Sequence, residues 1–135
     1  MSEGKYKVLG HLYYTKEHEW LRKEDEYVIV GITDYAQKSL HEIVFVELPE
    51  VGVEVEQMGM LGTVESVKAV SDLFSPVSGV VVEVNENLID KPEILNSDPY
   101  NEGWIVKMKP KNLDEEIKNL MDAKKYTQYT LSLEE

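Results

Sequence analysis

Cysteine is absent from this 135-residue chain. That absence excludes a disulfide framework, a thiolate nucleophile and any zinc site built on sulfur, so redox chemistry has to reside in an attached group. Long apolar runs are missing too: no window approaches the ~20 residues of a membrane-spanning helix. Basic residues are scarce, 14 Lys and Arg against 26 Asp and Glu, for a net charge of −12. Such a surface repels nucleic-acid phosphates and anionic membranes and favours partners with basic docking faces. The first residues, Met-Ser-Glu-Gly-Lys-Tyr-Lys, form neither an apolar signal core nor an arginine-rich presequence, so a cytoplasmic location is expected.

Signatures of catalysis are equally sparse. His11, His18 and His41 show no i,i+4 pairing, and His41-Glu42 lacks the second histidine of a zinc-protease helix. No Gly-x-Ser-x-Gly elbow occurs. Gly59-Met60-Leu61-Gly62 lacks the lysine and serine of a phosphate-binding loop. Nothing here amounts to an autonomous active site, and the chain is expected not to be an enzyme.

What is present is an ordinary globular composition, 42% apolar and 30% charged, at a length that suits a single domain over residues 1–135. Strand patterns dominate. Tyr27–Val30 and Ile43–Leu48 are rich in β-branched and aromatic residues, as are Val80–Val84 and Trp104–Met108, and glycine or proline separates them at short spacing. These features predict a mainly β fold, a small barrel or sandwich of short strands. A short helix is expected over Asp34–Leu40, with Asp34 as N-cap and Gln37 completing a capping box. A helical tail is expected over 111–135: Asn112 caps it, Glu115 completes the box, and Leu113, Ile117, Leu120 and Met121 form one apolar stripe. Lys124 and Lys125 then fall near its C-terminal end.

The most informative run is Gly62-Thr63-Val64-Glu65-Ser66-Val67-Lys68-Ala69-Val70-Ser71-Asp72. Lys68 is a lone cation between Val67 and Ala69-Val70, at the junction of two strand-like segments. A hairpin would project that amine while cross-strand pairing holds both backbones. The tip nevertheless lacks the Asn-Gly or Asp-Gly of favoured two-residue turns. A snorkelling lysine is the plain alternative to an amine presented for covalent modification.

Glu65–Asp72, followed by Ser75-Pro76-Val77-Ser78-Gly79, resembles the lipoylation site of the glycine cleavage H-protein family. Lys16–Trp20 is similar to that family's N-terminal strand. Val30–Gln37, Ile43–Pro49, Asp98-Pro99-Tyr100 and Gly103-Trp104 match its further blocks, so the resemblance covers nearly the whole chain. Biotin sites of the related scaffold carry methionines beside the lysine, whereas Lys68 has Val67 and Ala69, which favours lipoate. The resemblance implies a lipoyl-domain-like barrel-sandwich hybrid, with lipoate joined covalently to Lys68 and Glu65 and Gly79 shaping the site for a lipoate ligase or octanoyl transferase. It implies a monomeric carrier taking the aminomethyl group of glycine from a pyridoxal-phosphate-dependent glycine decarboxylase to a tetrahydrofolate-dependent aminomethyltransferase, and reducing equivalents to a dihydrolipoyl dehydrogenase. Glu19 and Asp72 match acidic positions near the cleft that shelters the loaded arm. An H-like lipoate carrier of another pathway (lipoate relay or sulfur oxidation) and an unmodified interaction module are the alternatives. His41 stands where many members have glycine, which would suit a left-handed helix cap, and Met58 and Met60 disturb the usual glycine spacing before Gly62.

Overall fold

The computed structural model describes residues 6–133. Residues 1–5 of the N-terminal stretch and the last two residues of the expected tail lie outside that range. The strands are β1 (Tyr13–Tyr14), β2 (Glu19–Glu24), β3 (Tyr27–Ile32), β4 (Ile43–Glu47), β5 (Glu54–Val55), β6 (Met60–Ser66), β7 (Val70–Phe74), β8 (Gly79–Val84) and β9 (Val106–Pro110). The helices are α1 (Asp34–Leu40), α2 (Asn87–Asp90), α3 (Ile94–Ser97), α4 (Leu113–Glu116) and α5 (Ala123–Leu133). All strand pairs are antiparallel. They form one sheet in the order β1-β2-β3-β9-β8-β5 and a second in the order β4-β6-β7.

Alternation explains how the sheets close on each other. Val28, Val30 and Ile32 of β3 face a core shared with Ile43, Val46, Val64 and Leu73 of the smaller sheet and with Val81, Val106 and Met108. The intervening residues of β3 face the other way. There Trp20 lies over Gly31, where an added Cβ would meet the indole at 2.6 Å, and donates its Nε1–H to Pro99 O at 3.0 Å. Trp20, Tyr14, Ile29, Tyr100 and Tyr126 make a second, aromatic cluster. Tyr126 of α5 stacks on Tyr14 at 4.4 Å between centroids, and this contact seats the C-terminal helix on the sheet.

The expected helix over 34–40 forms with those bounds, but Thr33, not Asp34, is its N-cap. Thr33 Oγ1 accepts from Ala36 N, while Asp34 sits in the first turn and accepts from the Gln37 amide instead. His41 ends the helix at φ 69°, ψ −147°, in a region that strongly favours glycine. Histidine therefore takes the left-handed cap with its strain, held by its N–H on Gln37 O and by Asn96 Nδ2 on its carbonyl.

The tail departs further from expectation. Asn112 makes no side-chain cap bond, and the helix stops after Glu116 and a 3-10 turn over Ile117–Asn119. Leu120 is extended, and Met121 exchanges two 2.8 Å backbone hydrogen bonds with Tyr14 at the sheet edge. A new helix then starts, with Asp122 Oδ1 accepting from Lys125 N. Lys124 and Lys125 consequently stand in the first turn of α5, not near a C-terminus.

Candidate functional site

β6 and β7 form a hairpin whose tip is Ser66-Val67-Lys68-Ala69. Ser66 N donates to Ala69 O at 2.8 Å, and the Ser66 hydroxyl does the rest: its oxygen accepts from Lys68 N and Ala69 N, both at 3.0 Å. A side chain thus replaces the backbone acceptor of an ordinary turn, a local serine motif. Neither Val67 nor Lys68 needs a positive φ, so no Asn-Gly is required. Val67 N also donates to Glu42 O at 3.0 Å, tying the tip to the loop after α1.

Lys68 is exposed at this tip, between Val67 and Val70, which are 66% and 63% exposed. Its ammonium donates to Ser39 O, in the last turn of α1, at 3.2 Å. Ser39 and Leu40 form one wall of a cavity of about 250 Å³, whose other walls are Glu17, His18, Tyr35, Ala36 and Ser71. Such a space is below the ~300–1,000 Å³ of pockets for drug-sized ligands and suits a slender chain. Lys68 therefore stands at the mouth of a narrow cleft between the hairpin and α1.

The other residues singled out from the sequence occupy different places. Glu65 lies exposed on the outer face of the hairpin, paired across the sheet with Phe45 and Val70. Asp72 is exposed on the same face two pairs further along, opposite Thr63, while its neighbour Ser71 turns to the cavity. Gly79 is remote from the tip. A Cβ there would meet Lys109 O at 2.4 Å, so its role in shape is to let β8 lie against β9. The adjacent Ser78 gives its N–H and hydroxyl to the Glu116 carboxylate, which fastens the tail to this corner.

Glu19 is 1% exposed and not on the cavity wall. Its carboxylate accepts from the Thr15 hydroxyl and, at 3.0 Å, from Phe74 N on the free edge of β7. Burial pushes its pKa up to about 7 against the pull of those hydrogen bonds. The carboxylate that lines the cavity is Glu17. Sequence reasoning gave no site role to Glu17, Tyr35, Ser39 or Ser66, and weighed His18 only as a metal ligand. The polar residue Ser66, immediately before an apolar tip, was a readable turn signal.

Two sheets sharing one core, with a lysine exposed at a hairpin tip, define a barrel-sandwich hybrid of the lipoyl-domain-like class. A crystal structure of a glycine cleavage system H protein from Mycobacterium marinum superposes with a TM-score of 0.84 at 40% identity, covering 91% of this chain and 98% of that one. A probable glycine cleavage system H protein of Pyrococcus furiosus is 61% identical over 131 residues, 96% of this chain and 97% of its relative. A glycine cleavage system H protein of Geobacillus kaustophilus is 58% identical over 115 residues, 85% of this chain and 90% of that one. The profile of the glycine cleavage H-protein family matches residues 12–132. The chain belongs to that family.

Proposed function

We propose that this chain is a lipoylated carrier, one domain with its tail packed on it, modified on the Lys68 amine. It takes the aminomethyl group of glycine from a pyridoxal-phosphate-dependent decarboxylase to a tetrahydrofolate-dependent aminomethyltransferase, and reducing equivalents to dihydrolipoyl dehydrogenase. The observation that carries the reading is the placement of that amine: exposed, on a tip locked by Ser66, at the mouth of a narrow cavity. When bound, lipoate supplies a dithiolane whose disulfide accepts a transferred group together with two electrons. The chain's own residues hold and shelter. The amide N–H left on Lys68 after acylation can still donate to Ser39 O. Glu17 offers a carboxylate to a cationic amine in the cavity, and Asp72 offers a second from the hairpin face. Glu19 acts from beneath by fastening the edge of β7. Glu65, flanked by Phe45 and Val70, and the shape that Gly79 permits are what a lipoate-attaching enzyme would read. The acidic surface favours partners with basic faces, and a monomer in the cytoplasm fits this role.

Intact-mass measurement of the protein should show one lipoyl group, lost in Lys68→Arg. The lipoylated protein should then support glycine–bicarbonate exchange with a cognate decarboxylase. An unmodified Lys68 after incubation with ligase, lipoate and ATP would overturn the reading, and a modified protein inactive in exchange would move it to another lipoate-dependent pathway.

A further inference from the structure

His18 is a cavity wall whose protonation state follows from the hydrogen bonds around it. Its backbone is held at φ 73°, with its N–H on Thr15 O and its carbonyl receiving Thr33 N at 3.0 Å. Its ring lies against Tyr35, centroids 4.3 Å apart, and edge-on to Tyr126 at 5.8 Å. Nδ1 is 2.8 Å from the Tyr126 hydroxyl, and that hydroxyl is 2.7 Å from Thr33 Oγ1.

Only one direction of proton donation satisfies this chain. Thr33 is fully buried, and its hydroxyl already accepts from Ala36 N. Among the described residues, its own hydrogen has only the Tyr126 oxygen to go to. Tyr126 is fully buried too, so its hydrogen must go to His18 Nδ1. Nδ1 is then the acceptor, and in a neutral imidazole the proton sits on Nε2. Burial holds the ring neutral, with a pKa lowered to about 4. No buried side-chain nitrogen or oxygen among the described residues is without a partner. Among the described residues Nε2 has no such partner, so it is not buried, and the residue that carries it lines the cavity.

The cavity therefore contains a fixed, uncharged N–H donor, close to where Lys68 meets Ser39. An alkyl chain accepts nothing, and sulfur is a weak acceptor. The one strong acceptor on a lipoyl or octanoyl arm is its amide oxygen. We propose that His18 is a positioning residue whose Nε2–H donates to the amide carbonyl of the acyl arm on Lys68, with Tyr126 of the C-terminal helix setting the tautomer that makes this possible. The proposal rests on Lys68 being the acylated residue.

The test is ring-nitrogen NMR of ¹⁵N-histidine-labelled full-length protein, unmodified, octanoylated and lipoylated, with intact mass taken on each sample. Expected are an unprotonated Nδ1 and a protonated Nε2 in the unmodified protein, and a shift of the Nε2–H resonance on acylation by either acid. Tyr126→Phe should mix the tautomers and reduce that shift. His18→Asn keeps an N–H donor and tolerates the positive φ, so it should retain more of the arm's protection from solvent exchange at the lipoyl amide than His18→Ala. A protonated Nδ1, an Nε2–H unmoved by a verified acyl group, or a shift with lipoate but not octanoate each overturns the proposal. Absence of acyl mass on Lys68 overturns it together with the carrier reading.

Discussion

At the scale of single residues, two side chains store free energy that can be measured. Glu19 titrates at about 7 in the folded protein against 4.5 for an ordinary glutamate. Between those values the folded state holds a proton that the unfolded chain has released, so stability falls as pH rises. This group's contribution is complete below about pH 4.5 and is lost as pH rises through 7, on the order of 3 kcal/mol. Glu19→Gln keeps an oxygen to accept from Phe74 N and removes the titration. Urea unfolding at pH 5 and pH 8 should show the stability difference between variant and wild type moving in the variant's favour at the higher pH. Parallel pH profiles would rule the assignment out. His41 stores strain of another kind: φ 69°, ψ −147° is glycine territory. His41→Gly should raise stability by about 1 kcal/mol, the relief of strain exceeding glycine's extra entropy cost, as read from the thermal midpoint.

At the scale of elements, the hairpin tip depends on one hydroxyl. Ser66→Ala leaves the Lys68 and Ala69 N–H groups without their acceptor, a cost of about 1–2 kcal/mol. It should also slow acylation of Lys68 by lipoate ligase more than it lowers stability at 25 °C, followed by the rate of mass gain. The legibility of the sequence divides along the same line. Strands such as β3 and β8 were plain because they are runs of β-branched residues set off by glycine, even though β3 is buried on both faces and β8 carries a bulge between Val81 and Glu83. Helix α1 was plain in extent but not in its cap, because Thr33 and Asp34 are both good N-caps and only the chain's path decides which oxygen meets Ala36 N. The tail was misread as one helix because its apolar stripe is continuous on paper. The two hydrogen bonds offered by Tyr14 at the open edge of β1 outweigh those that residues 120–122 would make in a helix. The hairpin, and the exposed place of Lys68 at its tip, were legible from the run 62–72. The cavity was not, since Glu17, His18, Tyr35, Ser39 and Ser71 meet only when the β1–β2 turn, α1 and β7 come together.

At the scale of the whole molecule, a net charge of −12 on 135 residues repels itself. Raising ionic strength from about 10 mM to about 150 mM shortens the Debye length from roughly 30 Å to 8 Å. The thermal midpoint should rise by roughly 2–5 °C over that range, on the scale set by about 1 kcal/mol, checked by calorimetry at constant pH. Association with a basic partner should run the other way, its on-rate falling with the same addition of salt.

The lock on the Ser66–Ala69 turn has a consequence for kinetics. A tether's value lies in the local concentration it gives its free end, and that concentration is highest when only the tether, not its base, is free to wander. With its root held by Ser66 and Glu42, an arm on Lys68, as proposed, would explore a volume set by its own length. Each docked partner would then meet the far end at an effective concentration in the millimolar range. Turnover would be governed by how long successive partners stay bound to the acidic surface, not by the search of the arm.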